Sequence, residues 1–457
     1  IHNRGRDTMR NNYSNHGSVL IVTMCVSLGL VSVTLLFGHS MLMTYRGTDN
    51  DLAGRQAGQA IEGAARYAES LLTSSTSPGA FPDLTSYVGE TVPVGEATFW
   101  FLGRPLDTAT GDTREYGLVD EASKININVA PASVLEKLPR MTPELAAAIV
   151  QWRTPGGSSS SSTSGGVSSQ TYVIKQAPFE SIEELALVSG MTEEILYGED
   201  TNMNGVLDPN EDDGDKTLPS DNADGRLDPG ILEYVTVFSS VSKNGTDGTT
   251  ARLDVTQQDG LEEKLETILT SAISQDRAKK ILDPLRPIRS LTCPLALYLQ
   301  SKERGANNAM TAEEFDKIAG NLTMSAGPQN LYPSPINVNT ASEAVLACIP
   351  GASGKRSAIL AARARRAEQS GIAWVVDAID DRQAARSAGP YITGQTFQVT
   401  ADVAAVGRNG RGYRRTKFII DIGTGTPRII YRRNLAGLGW ALGEQVRIDL
   451  ANDKSLR

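Results

Sequence analysis

The sequence predicts an α+β protein: a long N-terminal membrane helix, then an α/β head split by a large, mainly helical insertion. Three observations carry the prediction. From Ser18 to Tyr45 the chain holds no Asp, Glu, Lys or Arg. Strand-like segments lie at both ends of the remainder, with helical patterning between them. Two stretches of that middle also parallel one another.

The first element is a polar leader, residues 1–17, which carries Arg4, Arg6 and Arg10 and closes on Gly17. Residues 19–37 are apolar for nearly their whole length, and ~20 apolar residues let a helix cross ~30 Å of hydrocarbon. A secretory signal peptide would have a shorter apolar run with its small-residue cleavage site after it. Here the candidate processing glycine comes first, so cleavage between Gly17 and Ser18 would leave the helix on the mature chain. An uncleaved single-pass anchor with a basic cytoplasmic flank fits the same residues.

The helix is expected to continue to residue 73. Leu52, Ala53, Ala57, Ala60, Ile61, Ala64, Ala68, Leu71 and Leu72 recur at helical spacing, with Arg55, Glu62, Arg66 and Glu69 between them. That is an amphipathic stripe. At 1.5 Å per residue, residues 18–73 make a rod about 80 Å long, its first half in lipid and its second on a globular head. Ser, Pro and Gly in residues 74–82 end it.

The head is expected in two parts. Residues 74–124 contain strand-like runs at 97–102 and 115–119; residues 391–457 contain others at 396–401, 417–422 and 428–432. The helical insertion between them divides into residues 125–335 and 336–390. Residues 156–170 are a Gly/Ser tract, which reads as a loop. The internal repeat pairs Lys124-Ile-Asn-Ile-Asn-Val-Ala with Pro335-Ile-Asn-Val-Asn-Thr-Ala. Each copy runs into an Ala-rich helix, 145–153 or 358–366, and then a third segment, 179–190 or 374–379. Helix, tight turn, helix is the pattern of a helix-hairpin-helix (SAM-like) module.

Composition narrows the chemistry. The net charge of -9 leaves no basic excess to attract nucleic acid. The three histidines, His2, His16 and His39, all lie in the leader or the apolar helix. Ser-His-Asp and Cys-His catalysis therefore lack a base, and His-built zinc sites lack ligands. The expectation is a protein that is not an enzyme. Paired acids such as Asp380 and Asp381 read as solvating a helix end. Cys25 sits in the apolar run; Cys293 and Cys348 read as buried structural thiols, with a bridge between them also compatible.

Residues 200–211 fit the twelve-residue EF-hand calcium loop at each diagnostic place. Asp200, Asn202 and Asn204 supply oxygens at positions one, three and five, and Gly205 makes the sharp turn at six. Val206 offers its carbonyl at seven, Asp208 holds the ion or a water at nine, and Glu211 ends the loop as a bidentate acid. Calcium wants six to eight hard oxygens, and this spacing delivers them from one segment. Asn222, Asp224 and Asp228 echo the pattern. In that register Ser220 falls at position one and Ile231 at twelve, so a second site needs another acid: Asp213, Asp215, Asp221 or Glu233. The Asp-Asp-Gly-Asp run after Glu211 does not read as an exiting helix, so the ion would staple a loop rather than drive a sensor.

The leader ending in Gly17, the long apolar helix, the paired Asn-rich modules and the split head together resemble the type II secretion minor pseudopilin K family, over nearly the whole chain. The resemblance implies a pseudopilin head with an inserted α-domain at the tip of a periplasmic pseudopilus, beside minor pseudopilins I and J and above the major pseudopilin. It implies a single-pass protein of the bacterial inner membrane, with calcium in its periplasmic head. The implied role is to initiate and cap the fibre in protein secretion, with contacts to the secretin and to secreted cargo. Most pilins carry a glutamate at the fifth residue of the mature helix; Val22 stands there, as is characteristic of this minor subunit. Ser18 departs from the usual Phe or Met at the first mature position.

The rival reading is a membrane-anchored helix-hairpin-helix protein of DNA binding or uptake, whose hairpin glycines would present backbone amides to phosphate. The first turn, Leu138-Pro-Arg140, lacks those glycines. The second keeps Gly351 and Gly354 and precedes Arg363, Arg365 and Arg366. With the chain acidic overall, no nucleic acid is expected.

Overall fold

In the computed structural model the described residues are 16–73, 79–104, 115–156, 174–245, 248–324, 334–366 and 371–452. The leader up to residue 15, most of the helix-breaking segment and nearly all of the Gly/Ser tract lie outside them. Helix α1 runs unbroken over His16–Thr73, through the Gly17–Ser18 junction, and at 1.5 Å per residue is roughly 87 Å long. Among the described residues it is the one helix long and apolar enough to cross a membrane. Its large apolar side chains from Val19 to Tyr45 are exposed to solvent. From Ala53 onward the character reverses: Ala53, Ala57, Ala60, Ala64 and Ala68 are fully buried.

What buries them is an antiparallel sheet. Strands β1 (Val92–Val94), β2 (Ala97–Phe101) and β3 (Val119–Asp120) come before the helical middle. Three two-residue parallel pairs lie within it: β4 (Ile125–Asn126) with β5 (Val235–Thr236), β6 (Leu253–Asp254) with β7 (Leu322–Thr323), and β8 (Ile336–Asn337) with β9 (Ile392–Thr393). Then follow β10 (Gln398–Val406), β11 (Arg414–Asp421) and β12 (Arg428–Asn434). The six-stranded sheet has the order β1-β2-β10-β11-β12, with β3 also on β10. The central strand therefore comes from the far end of the chain and joins strands of both ends, Val403 facing Phe101 and Thr416.

Every residue of β10 is buried, because both faces of the sheet are covered. One face meets the alanine stripe of α1 through Phe99, Phe101, Val399, Val403, Phe418 and Ile420. Small side chains let the helix lie close, and Tyr67 reaches across to stack on Phe101 at 6.0 Å. The other face meets Trp440, Leu442, Val446 and Leu450, from the C-terminal helix Gly443–Asn452 and the turn before it.

The helical middle has its own core, and the sequence repeat is a structural repeat there. In the first copy Asn128 Nδ2 donates to Phe179 O at 2.9 Å; in the second Asn339 Nδ2 donates to Gly371 O at 3.1 Å. Arg153 closes the helix Pro143–Arg153 and turns back to the carbonyls of Ile127 and Ala130. Arg363 does the same from the helix Arg356–Ala364, reaching Val338 and Ala341. Both guanidiniums are buried, so each copy satisfies its turn carbonyls with a charged donor, although the second arginine lies one residue nearer its turn than the first.

Some expectations are met differently. The third segment of the first module is a 3-10 helix, Ile182–Leu187, whereas Trp374–Ile379 in the second is α-helical. The run at 115–119 contributes only a bridge from Tyr116 to Leu102 and the first residue of β3. That strand stops because the Asp120 side chain caps the 3-10 turn Glu121–Ser123 by accepting from Ala122 N. The thiols of Cys293 and Cys348 are both buried and unbridged.

Candidate metal centre

The helix Glu193–Tyr197 ends at Gly198, whose φ of +60° turns the chain sharply into the first carboxylate loop. Met203 (φ +56°) and Gly205 (φ +73°) are both left-handed. This coils residues 200–206 so that their amides point inward and the carbonyls of residues 202–204 point outward. The inward amides converge on side chains. Asp200 accepts from Asn204 N at 2.9 Å and Gly205 N at 2.8 Å, Asn202 Oδ1 accepts from Asn204 N, and Asn204 Oδ1 accepts from Val206 N. Glu211 closes the loop by accepting from Asp208 N at 3.1 Å. The next α-helix begins only at Leu261.

Five of the six sequence-predicted residues of this loop are thus tied into one turn by their side chains; Val206 takes part through its backbone. Asp200, Asn204 and Glu211 are buried. Asp208 Oδ2 accepts from the side-chain amides of Asn202 and Asn204, each at 2.7 Å. Glu211 Oε1 has no hydrogen-bond partner, the one buried carboxylate oxygen of which this is true among the described residues. Burial, with the Asp200 charge close by, pushes the Glu211 carboxyl up to about 8. Asp200 is pushed up to about 6, again chiefly by burial. Such a site favours added positive charge. The donor set is mixed carboxylate, amide and backbone oxygen, the hard-oxygen mixture calcium prefers. No three His, Cys, Asp or Glu side chains group as a metal-holding cluster among the described residues.

The second loop lies against the first: Gly198 bridges Pro229, and Glu199 N donates to Asp228 O at 3.0 Å. Its turn repeats the hydrogen bonds of the first. Asp224 N donates to Asn222 Oδ1 and Arg226 N to Asp224 Oδ1, both at 2.9 Å. The position-one role, accepting from the turn glycine, falls to Asp212, which takes Gly225 N at 2.9 Å. The closing-acid role falls to Glu199, which takes Asp228 N at 2.9 Å. Neither residue was among the four acids the spacing offered. Asp213 holds Thr217, Asp215 holds Ser220, and Asp221 holds the amides of Asp213, Gly214 and Ala223. Glu233 pairs with Arg104. Asp228 gives Oδ2 to Arg140 at 2.7 Å rather than to the turn.

Sequence reasoning also missed two arginines. Arg104, just after β2, and Arg415, on β11, donate to the outward carbonyls of residues 202–204. No spacing rule reaches them, since they lie about 100 and 210 residues away along the chain.

The arginines of the second hairpin are engaged internally. Arg363 is buried, Arg365 bonds Ala361 O, and Arg366 lies over the Trp374 ring at 5.0 Å. A side chain at Gly351 would strike Ala384 O, so that turn is packed against the helix Arg382–Ala388. No protein-family model matches the chain, and no curated protein matches it.

Proposed function

We propose that this chain is the minor pseudopilin K-type subunit of a type II secretion pseudopilus, a non-catalytic tip protein that initiates and caps the fibre. The observation that carries the reading is α1: exposed and apolar over its first half, seated by an alanine stripe on a sheet over its second. A fibre subunit needs such a helix, because its lipid-soluble half must later pack against neighbouring subunits. The sheet takes strands from both ends of the chain, with residues 121–397 and their separate core between them. That order supports a pseudopilin head carrying an inserted α-domain. Such a bulk beside the head would block stacking of a further subunit, and Val22 leaves the helix without the acid that pairs subunits in a growing fibre.

In this reading the protein is a single-pass protein of the bacterial inner membrane with its head in the periplasm. Calcium is held by Asp200, Asn202, Asn204, the Val206 carbonyl, Asp208 and Glu211. Asn222, Asp224 and Asp228 with Asp212 and Glu199 form the weaker second loop. The ion supplies charge neutralisation for buried acids in a region with little apolar core. The partners are minor pseudopilins I and J, the major pseudopilin, the secretin and secreted cargo. The DNA-binding alternative draws little support from hairpin arginines already engaged within the fold. Co-expression of the full chain with minor pseudopilins I and J in detergent tests the proposal. Recovery of a ternary complex is the expected result; a chain that stays monomeric beside both would overturn it.

A further inference from the structure

The tripeptide at residues 202–204 works on two sides. Its side chains and amides face into the first loop, and its carbonyls face the sheet. Arg104 donates through Nη2 to Met203 O at 2.8 Å and through Nη1 to Asn204 O at 3.4 Å. Arg415 donates through Nη1 to Asn202 O at 2.5 Å and through Nη2 to Met203 O at 2.6 Å. All three carbonyls of the turn are thereby held, that of Met203 from both sides.

Each arginine arrives with its own acid. Arg415, wholly buried, pairs with Asp402 of β10 at 2.6 Å, and Arg104 pairs with Glu233 at 2.9 Å. Both guanidiniums are thus neutralised locally, so they hold the turn without setting a net positive charge against a cation inside it. The position-six glycine has a second role here. A Cβ on Gly205 would lie 2.7 Å from Arg104 Cδ, so glycine alone lets the arginine lie along the turn.

We propose that Arg104 and Arg415 are positioning residues that couple calcium occupancy of the loop to its docking on β2 and β11. The ion then acts as a clasp between the sheet and the helical middle rather than as a staple within one loop. This rests on the calcium reading above. Ligation of an ion inside the turn would hold the left-handed geometry at residues 203 and 205. The outward carbonyls are then in register for both guanidinium forks. By reciprocity, whatever the forks add to docking appears as calcium affinity.

The test uses the full chain in detergent micelles, titrated with calcium chloride by calorimetry, together with amide hydrogen exchange. In the parent protein, calcium slows exchange across residues 97–101 and 414–421 as well as within 200–211. Arg104→Gln, at the more accessible of the two sites, weakens calcium binding roughly tenfold, the scale of losing charged hydrogen bonds. Arg104→Lys keeps the cation without the fork and recovers only part of that loss, which a purely electrostatic or generic structural role would not produce. Arg415→Lys gives the same ordering and guards against one variant failing to fold. Wild-type affinity in Arg104→Gln, or calcium protection confined to residues 200–211, overturns the coupling while leaving calcium binding intact. No saturable calcium signal in the parent overturns the calcium reading and the coupling with it.

Discussion

Replacing Glu211 with glutamine should act in opposite directions with and without calcium. Glu211 is 1% exposed, and its Oε1 lacks a partner. Its carboxyl is raised from 4.5 to about 8. A group raised in the folded state contributes its stability below the unfolded pKa and loses it as pH rises toward the folded one. At pH 7 some 2.5 units of that window have been crossed, a cost of about 3 kcal/mol to the calcium-free protein. Glutamine carries no charge and escapes the cost. With calcium at a thousandfold excess over its dissociation constant, the parent gains about 4.1 kcal/mol by mass action, and the variant lacks the closing carboxylate for it. Melting should therefore cross over. At roughly 2–4 °C per kcal/mol, Glu211→Gln melts several degrees higher than the parent in chelator and, being about 1 kcal/mol less stable there, a few degrees lower in calcium. Thermal unfolding by circular dichroism, with magnesium as the control ion, reads both arms. A variant less stable than the parent in chelator, or one that keeps the full calcium shift, would refute the argument that Glu211 is a buried acid waiting on a cation.

Three other perturbations probe separate parts of the molecule. Burial raises Asp120 from 3.8 to about 6 despite hydrogen bonds from Thr340, Thr396, Ala122 and Asn337. Between about pH 4 and pH 6 the parent should therefore lose up to about 3 kcal/mol relative to Asp120→Asn, read from urea unfolding in chelator; parallel pH profiles would contradict this. Gly205→Ala and Gly225→Ala share a φ of +73°, but only the first would meet a neighbour, Arg104. Both should destabilise by about 1 kcal/mol for the backbone, and Gly205→Ala by clearly more, so equal urea midpoints would remove the close approach from the account. Ala64→Leu places three extra carbons in the fully buried helix–sheet seam and should cost about 1–3 kcal/mol in the same assay, whereas a neutral result would mean the seam is loose.

What could be read from the sequence follows how far each feature reaches along the chain. The first carboxylate loop was legible because its side chains lie within twelve consecutive residues and its turn glycine has a fixed place. The second was half legible. Asn222, Asp224 and Asp228 stand in order, but Asp212 and Glu199 enter from either side only once Gly198 has bridged Pro229. The hairpin repeat was legible as matched Asn positions, but the matching carbonyl-capping roles of Arg153 and Arg363 were not, since each arginine acts on a turn more than twenty residues before it. The parallel pairs β4–β5, β6–β7 and β8–β9 were not, because two residues are too few to show a period. Nor were Arg104 and Arg415, which act on a turn distant in sequence. In β10 the alternation of apolar and polar residues is interrupted because both faces are covered, which leaves Thr400 and Asp402 buried among alanines.

The strand order also sets a timetable. β2 at residues 97–101 pairs at once with β1, but finds the partner for its other edge only in β10, some 300 residues later. At about 5–20 residues per second, translation delivers that partner roughly 15–60 s after β2 itself has emerged. Throughout that interval the N-terminal helix has an alanine face and no completed sheet to cover it. The helical middle, whose contacts are closer in sequence, can collapse first. The sheet is then assembled last around the arriving β10, so a nascent chain stalled before residue 398 would hold a folded middle and a β1–β2 hairpin with one open edge.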